Sequence, residues 1–354
     1  MTTSLPLAGL HRRLGAEISE PEGFSVPLRY GLVEEEHQAL LEGCGIADLS
    51  WRGRLEIVGA DRHRFLHNYL TCDVKGLGPG SGAYGFFTSS QGRILSDAVV
   101  LAHGDRLWVE VGPGQEEPIG SHLRKFILAD RVEVRSLDDM LPIAVLGPKA
   151  EAVLGADLSS LGDGAWRHAR VSVHGTEVAL QRRGLMGVPA YTLWVSASVA
   201  APLVERLIGD GARPVGFEAL EILRAEAGIP RFGRDFGPDN FPQETGIEEA
   251  VSYTKGCYLG QEVVARIHYR GGVQHALKGL VFEGSEPNPG AGLLHEGREA
   301  GKATTVVRSP VLGRTIGLGI LHRRAAEAGT RVEVDGGGAN TAATVQDLPL
   351  VPTP

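Results

Sequence analysis

The sequence of 354 residues contains little cysteine and no excess of positive charge, and each scarcity excludes a class of protein. Its three cysteines, Cys44, Cys72 and Cys257, are too few and too widely spaced for a disulfide framework. Because 43 acidic residues outnumber 35 basic ones, the chain lacks the overall basic charge of a nucleic-acid-binding protein. We therefore expect a cytoplasmic protein without a nucleic-acid partner.

Long apolar runs and clustered metal ligands are also missing. No segment approaches the roughly 18 uninterrupted apolar residues of a membrane span, so we expect no membrane association. The N-terminus does not resemble a signal peptide, because Pro6 interrupts its apolar stretch and basic residues follow. His63 and His67 have helical spacing but no third ligand nearby, and three separated cysteines cannot supply the four thiolates of a usual iron-sulfur cluster. The sequence thus predicts no stably bound metal.

The order of helical and β patterns predicts an α+β fold with several units. Residues 1–25 are polar and rich in turn formers, which favours a flexible N-terminal arm. In residues 26–140 and again in residues 141–275, strand patterns alternate with helical ones, as in ferredoxin-like α/β layers. A stretch rich in glycine and proline at residues 284–292 then precedes only short β-patterned segments, so residues 276–350 predict a C-terminal β-barrel.

The run Lys-Gly-Cys-Tyr-Leu-Gly-Gln-Glu, which ends at Glu262, places one thiol directly before a helical pattern. Its glycines, Gly256 and Gly260, permit turns, and the apolar spacing that follows predicts a helix from Gln261 through Arg266. Cys257 would then lie near a helix N-terminus and near Lys255, and both features favour a thiolate. The alternative is a small buried cysteine packed beside Tyr258.

Two charged residues far from this run are also candidates. Asp97 follows a glycine turn on a predicted strand, where a carboxylate can orient an amine substrate or accept its proton. It can equally be a solvated residue at the edge of a hairpin. Arg224 lies on a predicted helix with Glu226, and its guanidinium can hold a ligand carboxylate bidentately or pair with neighbouring acids.

The cysteine run, with its continuation through residue 266, resembles the signature of the YgfZ-type folate-binding proteins. These proteins assist iron-sulfur proteins and are relatives of the T-protein (aminomethyltransferase) of the glycine cleavage system. Further stretches are similar to the wider T-protein superfamily, namely residues 45–50, 58–61, 91–97, 223–228 and 232–235. The resemblance covers roughly residues 25–350 and implies the T-protein-like three-domain arrangement.

For the ligand, the resemblance implies tetrahydrofolate or a one-carbon-substituted folate, bound in a central cavity. Asp97 corresponds to the aspartate that T-proteins use beside the folate, and Tyr84 falls where the superfamily lines the folate pocket. The resemblance also favours a pocket role for Arg224 over pairing with its neighbours.

For function, the resemblance implies support for the assembly or repair of iron-sulfur clusters. Cys257 would be the functional thiol, Lys255 its electrostatic activator, and Gln261 with Glu262 the polar helix start that holds the loop. The expected partners are iron-sulfur client enzymes or assembly proteins.

One departure from the T-protein pattern bears on mechanism. T-proteins carry a Tyr-Thr-Gly-Glu-x-Gly segment whose glutamate binds the donor edge of the pterin, whereas the corresponding residues 183–191 contain no acid. Backbone acceptors or another carboxylate such as Glu244 would have to replace it. Two alternatives stay open: a folate-dependent aminomethyltransferase or demethylase using Asp97, and a non-enzymatic scaffold that binds partners. The sequence therefore leaves open whether the protein is an enzyme.

Overall fold

The computed structural model describes residues 5–335 and 341–352. The elements up to residue 136 are α1 (Ala8–Arg13), β1 (Glu17–Ser19), β2 (Val26–Arg29), α2 (Val33–Glu42), β3 (Gly45–Asp48), β4 (Arg52–Val58), α3 (Arg62–His67), β5 (Ser81–Thr88), β6 (Ile94–Ala102), β7 (Arg106–Pro113), α4 (Glu116–Arg124) and β8 (Glu133–Ser136). The next are β9 (Met140–Leu146), α5 (Ala150–Leu154), β10 (His168–Val173), β11 (Thr176–Arg182), β12 (Ala190–Ser196), α6 (Ala197–Gly209), β13 (Arg213–Pro214), α7 (Phe217–Glu226) and α8 (Gln261–Arg266). The last are β14 (His275–Glu283), β15 (Gly292–His295), β16 (Arg298–Ser309), β17 (Arg314–His322), β18 (Arg331–Val334) and β19 (Ala342–Gln346).

The first sheet is antiparallel and has five strands in the order β5-β6-β7-β4-β8. Its strands have two buried faces, because successive side chains point to opposite sides. On β6, Val100 belongs to the core beneath α3 and α4, together with Phe65 and Leu123 of those helices. Its neighbour Val99 points the other way, into a layer rich in aromatic side chains.

The second sheet has six strands in the order β10-β11-β12-β9-β3-β13. One face packs against α1, α5 and α6, with Ile143 and Leu193 of the sheet contacting the same core as Leu207. Strand β3 comes from the segment assigned to the first unit, yet it pairs with β9. The boundaries of the units remain predictions, while the alternation of sheet and helix within them is confirmed.

An aromatic layer joins the inner faces of the two sheets. Tyr84 of β5 stacks on Trp166, with ring centroids 5.6 Å apart and planes at 20°. Trp108 of β7 meets Trp194 of β12, also at 5.6 Å. Such rings bury large apolar surfaces, so this layer fixes the two sheets against each other.

The last strands close into a barrel, in the order β14-β17-β16-β15-β18-β19. Strand β14 pairs with both β17 and β19, which closes the sheet. The predicted C-terminal β-barrel and the α+β fold class are confirmed, and residues 336–340 of the barrel segment lie outside the described residues. The barrel docks on α7, where Arg224 donates to Thr305 at 2.8 Å and Ser309 donates to Glu226 at 2.5 Å.

The prediction of a flexible arm at residues 1–25 does not hold for the part that the structure describes, which begins at Leu5. Leu7 and Leu10 are buried in the core of the six-stranded sheet. Phe24 stacks on Trp51, with centroids 5.2 Å apart. These few apolar side chains, spaced within a polar stretch, are enough to dock it. Among the described residues, no helix is both long and apolar enough to cross a membrane.

Candidate functional site

A central cavity with a volume of about 100 Å³ lies beside the aromatic layer. Its wall combines aromatic and charged side chains, including Trp51, Tyr84, Asp97, Trp166, Arg183 and Glu221. Residues from the five-stranded sheet, from the loop between β11 and β12 and from α7 therefore meet at one cavity.

Asp97 of β6 is the buried carboxylate on the β-sheet wall of this cavity. Its Oδ2 accepts a hydrogen bond from the Arg52 guanidinium at 2.9 Å and from the Tyr84 hydroxyl at 3.3 Å. Its Oδ1 is buried and has no hydrogen-bond partner among the described residues. Burial and the nearby Asp97 raise the pKa of Tyr84 well above its ordinary value, so the phenol stays a donor. The structure thus brings together two of the residues predicted to line a folate pocket.

Three further charged residues extend from Asp97 at the cavity wall, and sequence reasoning missed two of them. Arg52 also forms an ion pair with Glu110 of β7 through its Nε. Arg183 donates to both oxygens of Glu110, at 3.0 and 2.6 Å. Burial acts to raise the pKa of Glu110, but Arg183 and Arg52 outweigh it and hold that pKa at about 2. For Glu110 the available signal was a charge between the apolar Val109 and Val111 of β7. Strand β4 carries three charged residues, so no local signal singled out Arg52.

Arg224 lines the cavity, but its guanidinium is fully engaged. Its Nε and one terminal nitrogen donate to Glu221, at 2.7 and 2.5 Å. The remaining N–H groups donate to Asp235 at 2.6 Å, to Thr305 at 2.8 Å and to the Ile229 carbonyl at 3.2 Å. A guanidinium has five N–H donors, so none is left for a ligand carboxylate. The expected grip on folate is therefore corrected to pairing with neighbouring acids.

The segment without an acid does reach the cavity. Its residues Arg183 to Met186 line the wall, and a Cβ at Gly184 would lie 2.9 Å from the ring of Trp166. Glu244, suggested as a replacement acid, lies elsewhere: it accepts from the Phe241 amide at 3.0 Å and faces His275 at 3.5 Å, in a separate polar groove. That suggestion was wrong, because Glu244 is not among the residues that line the cavity.

The cysteine run lies at a different place, an open groove that we call the thiol groove, lined by Cys257, Lys255, His67, Asp73 and Lys75 among others. Cys257 is exposed, which excludes the alternative of a buried cysteine. Lys255 does not serve as a free cation beside it. Its ammonium donates to the carbonyls of His67, Leu70 and Cys72, at 2.6, 2.6 and 2.9 Å. Burial lowers the pKa of Lys255 to about 8, and the predicted activator is instead a tether to the segment after α3.

The other motif residues hold the loop. Tyr258 is buried, and the Lys255 ammonium lies 4.9 Å from its ring centroid. Helix α8 begins at Gln261 and ends at Arg266, with Glu262 in its first turn, as predicted. Gly260 adopts φ +86°, and Gly256 lies in the preceding loop.

The accessibility of the three thiols differs. Burial raises the pKa of Cys44 to about 11 and that of Cys72 to about 12. Cys257 is the exposed thiol of the three, so its greater reactivity stays a prediction that the geometry favours. Within the described residues, no group of three or more His, Cys, Asp or Glu side chains is placed to hold a metal ion.

Residues 7–255 match the family described as the GCVT N-terminal domain, and residues 276–352 match the glycine cleavage T-protein C-terminal barrel domain. The chain belongs to the glycine cleavage T-protein family. An aminomethyltransferase of Rubrobacter xylanophilus is a relative with 32% identity, covering 88% of this chain and 85% of its own length. A Bacillus subtilis aminomethyltransferase is 29% identical and covers 95% of each chain. The crystal structure of the glycine cleavage system aminomethyltransferase T from Bartonella henselae superposes with a TM-score of 0.89 over 100% of this chain and 99% of that one, at 24% identity.

These matches confirm the predicted T-protein-like fold and the wider family resemblance, without singling out the YgfZ branch. They overturn the expected function. Relatives of this T-protein family member are named aminomethyltransferases, so the expectation of a role in iron-sulfur cluster assembly or repair, with iron-sulfur client enzymes or assembly proteins as partners, was wrong. The names of the relatives instead favour the alternative, a folate-dependent aminomethyltransferase.

Proposed function

We propose that this protein is a tetrahydrofolate-dependent aminomethyltransferase that acts in the central cavity, with Asp97 as its polar catalytic residue. The observation that carries the proposal is a buried carboxylate on the wall of an aromatic cavity, with one oxygen held by Arg52 and Tyr84 and the other without a partner among the described residues. Membership of the T-protein family and the names of its relatives support the same activity.

The residues of the cavity suit a flat, partly apolar ligand with a reacting amine. Trp51, Tyr84 and Trp166 offer ring surfaces against which a pterin can pack, and they exclude water from the reacting atoms. When bound, tetrahydrofolate supplies the nitrogen that accepts the one-carbon unit. Asp97 contributes a fixed negative charge, which stabilises positive charge that develops on the reacting amine.

The edge of the pterin is bound differently in this proposal than in T-proteins with the glutamate. Of the two carboxylates in the cavity lining, Glu221 is held by Arg224 and by Arg231, whose Nε donates at 2.9 Å. Because neither carboxylate lies on residues 183–186, backbone acceptors of that segment are the groups we assign to the pterin. We propose tetrahydrofolate as the folate form that binds.

A turnover assay with the other glycine cleavage components tests the proposal. We expect formation of the one-carbon-substituted folate by the wild type, and a fall in kcat of about 100- to 1,000-fold in Asp97→Asn, the range for loss of one preorganised polar group. Asp105→Asn is the matched control, because Asp105 is an exposed aspartate in the turn after the same strand. Absence of both turnover and calorimetric binding of tetrahydrofolate by the wild type would refute the function.

A further inference from the structure

Four buried charges form a row at the cavity wall, in the order Asp97, Arg52, Glu110 and Arg183, and all but Glu110 line the cavity. Three of these side chains are almost fully buried: Arg52 is 6% exposed, Asp97 5% and Glu110 1%. Each contact joins opposite charges: Arg52 with Asp97 at 2.9 Å, Arg52 with Glu110, and Arg183 with Glu110 at 2.6 Å. Two cations thus balance two anions in this row.

Within this row, Arg52 is in contact with both carboxylates, whereas Arg183 touches Glu110. Among the described residues, Arg52 is the basic side chain that pairs with Asp97. Its contact and that of Tyr84 fall on the same oxygen, Oδ2. The carboxylate is therefore held through one oxygen, while Oδ1 is buried and has no partner among the described residues.

We infer that Arg52 is a positioning residue for the reaction, which holds the Asp97 carboxylate in one orientation at the cavity wall. This inference rests on the proposed function of Asp97 and deepens it. Arg52 is the first residue of β4, where it pairs with Pro113 of β7 next to a shift in register.

The charges around Asp97 explain why Arg52 is required. From β5, Tyr84 faces Asp97 as a neutral phenol. Across the cavity, Arg224 and Arg231 pair with Glu221, Asp235 and Glu22. Without Arg52, the buried Asp97 and Glu110 would have Arg183 as their one remaining counter-ion among these side chains, and it contacts Glu110. Asp97 would then lack both a charged partner and the contact that fixes its orientation.

The test compares Arg52→Met and Arg52→Lys with Arg54→Met. Arg54 is the matched control for loss of a buried arginine, since it lies on the same strand and its guanidinium donates to the carbonyls of Ser50, Arg52 and Leu137. For Arg52→Met we expect kcat to fall about 100-fold while KM for tetrahydrofolate changes less than about threefold, because orientation and charge are lost but not the cavity. Lysine should restore part of kcat, since it supplies a charge without the fork.

A second measurement is independent of turnover. The ¹³C carboxyl signal of Asp97, assigned with Asp97→Asn, should change its position in Arg52→Met, because the carboxylate loses the guanidinium that holds it. A folded Arg52→Met protein with unchanged kcat and an unchanged carboxyl signal would overturn the inference. If Arg52→Met does not fold, an Arg52→Lys protein with the wild-type kcat and pH profile overturns it equally. A wild type without turnover but with the expected carboxyl signals would refute the proposed function and, with it, the role of Arg52 in the reaction, while its hold on Asp97 would stand.

Discussion

The central cavity and the thiol groove differ in what their charged side chains contact. In the cavity, Asp97, Arg52 and Glu110 contact one another, and one oxygen of Asp97 has no partner among the described residues. In the thiol groove, the Lys255 ammonium donates to three backbone carbonyls, and Cys257 is exposed. The motif at residues 255–262 therefore stabilises a loop, whereas the candidate site in the central cavity is formed by side chains that are distant in sequence.

The strongest test of this contrast is removal of the Lys255 ammonium. In Lys255→Met, three carbonyls lose their donor, and we expect the free energy of unfolding to fall by about 3 to 5 kcal/mol. Denaturant unfolding measures it, with Lys75→Met as the control because Lys75 is an exposed lysine of the same groove. Equal stability of the two variants would mean that Lys255 is not a tether.

Acid should weaken the aromatic layer beside the cavity before it affects the groove. Burial lowers the pKa of His103 to about 3 and that of His168 to about 4, both below the ordinary 6.5. As the pH falls below about 6.5, the unfolded chain takes up these protons first, so stability decreases until the folded pKa values are reached. Between pH 7 and pH 5 each histidine should account for about 2 kcal/mol of lost stability.

Melting curves at the two pH values check this, in the wild type and in His168→Gln. The variant should lose less stability than the wild type between pH 7 and pH 5, by about the share of one histidine. His63→Gln, a histidine on α3 that is outside the aromatic layer, should behave as the wild type. The same loss in all three proteins would show that other groups cause it.

The two motif glycines should differ in a way that separates loop geometry from chemistry. Gly260 has φ +86°, and a Cβ there would lie 2.3 Å from the Ser89 carbonyl oxygen. Gly260→Ala should therefore cost about 2 kcal/mol. At Gly256 the nearest atom is 3.7 Å away, so Gly256→Ala should change stability by less than about 0.5 kcal/mol. Chemical denaturation of both variants decides, and similar losses would contradict the distinction.

Cys257→Ala should have the smallest effect of all. Because the thiol is exposed, we expect a change in stability below about 0.5 kcal/mol and aminomethyltransferase turnover within about twofold of the wild type. In the wild type, limiting alkylating reagent should label Cys257 before Cys44 and Cys72, as mass spectrometry can show. Loss of turnover in a folded Cys257→Ala protein would show that the thiol groove, and not the central cavity alone, is needed for the reaction.

Local patterns in the sequence were sufficient for much of the fold. Arg224 and Glu226 lie on one helix, α7, as their pattern predicts, and α8 starts at Gln261 after a glycine turn. These features depend on neighbours in the chain, such as turns and apolar spacing. The family resemblance assigned Asp97 and Tyr84 to a folate pocket; both line the central cavity, and their binding of folate stays a prediction.

Pairs that are distant in sequence could not be predicted in this way. Arg52 and Asp97 are 45 positions apart, and nothing local to either residue names the other. For Arg224 the family role and the pairing role were both open, and only the surrounding acids in space decided between them. At Lys255 the local motif was misleading. The ammonium is close to the thiol in sequence, but it points into the protein and donates to a backbone carbonyl.

The docking of the barrel on α7 makes the cavity dependent on a part of the chain that does not line it. Thr305 of β16 accepts from Arg224 and donates to Asp235, and Asp235 in turn accepts from Arg224. A displacement of the barrel would therefore take one acceptor from Arg224 and one donor from Asp235, while the ion pair between these two residues would remain. The barrel thus supports helix α7, which forms part of the cavity wall.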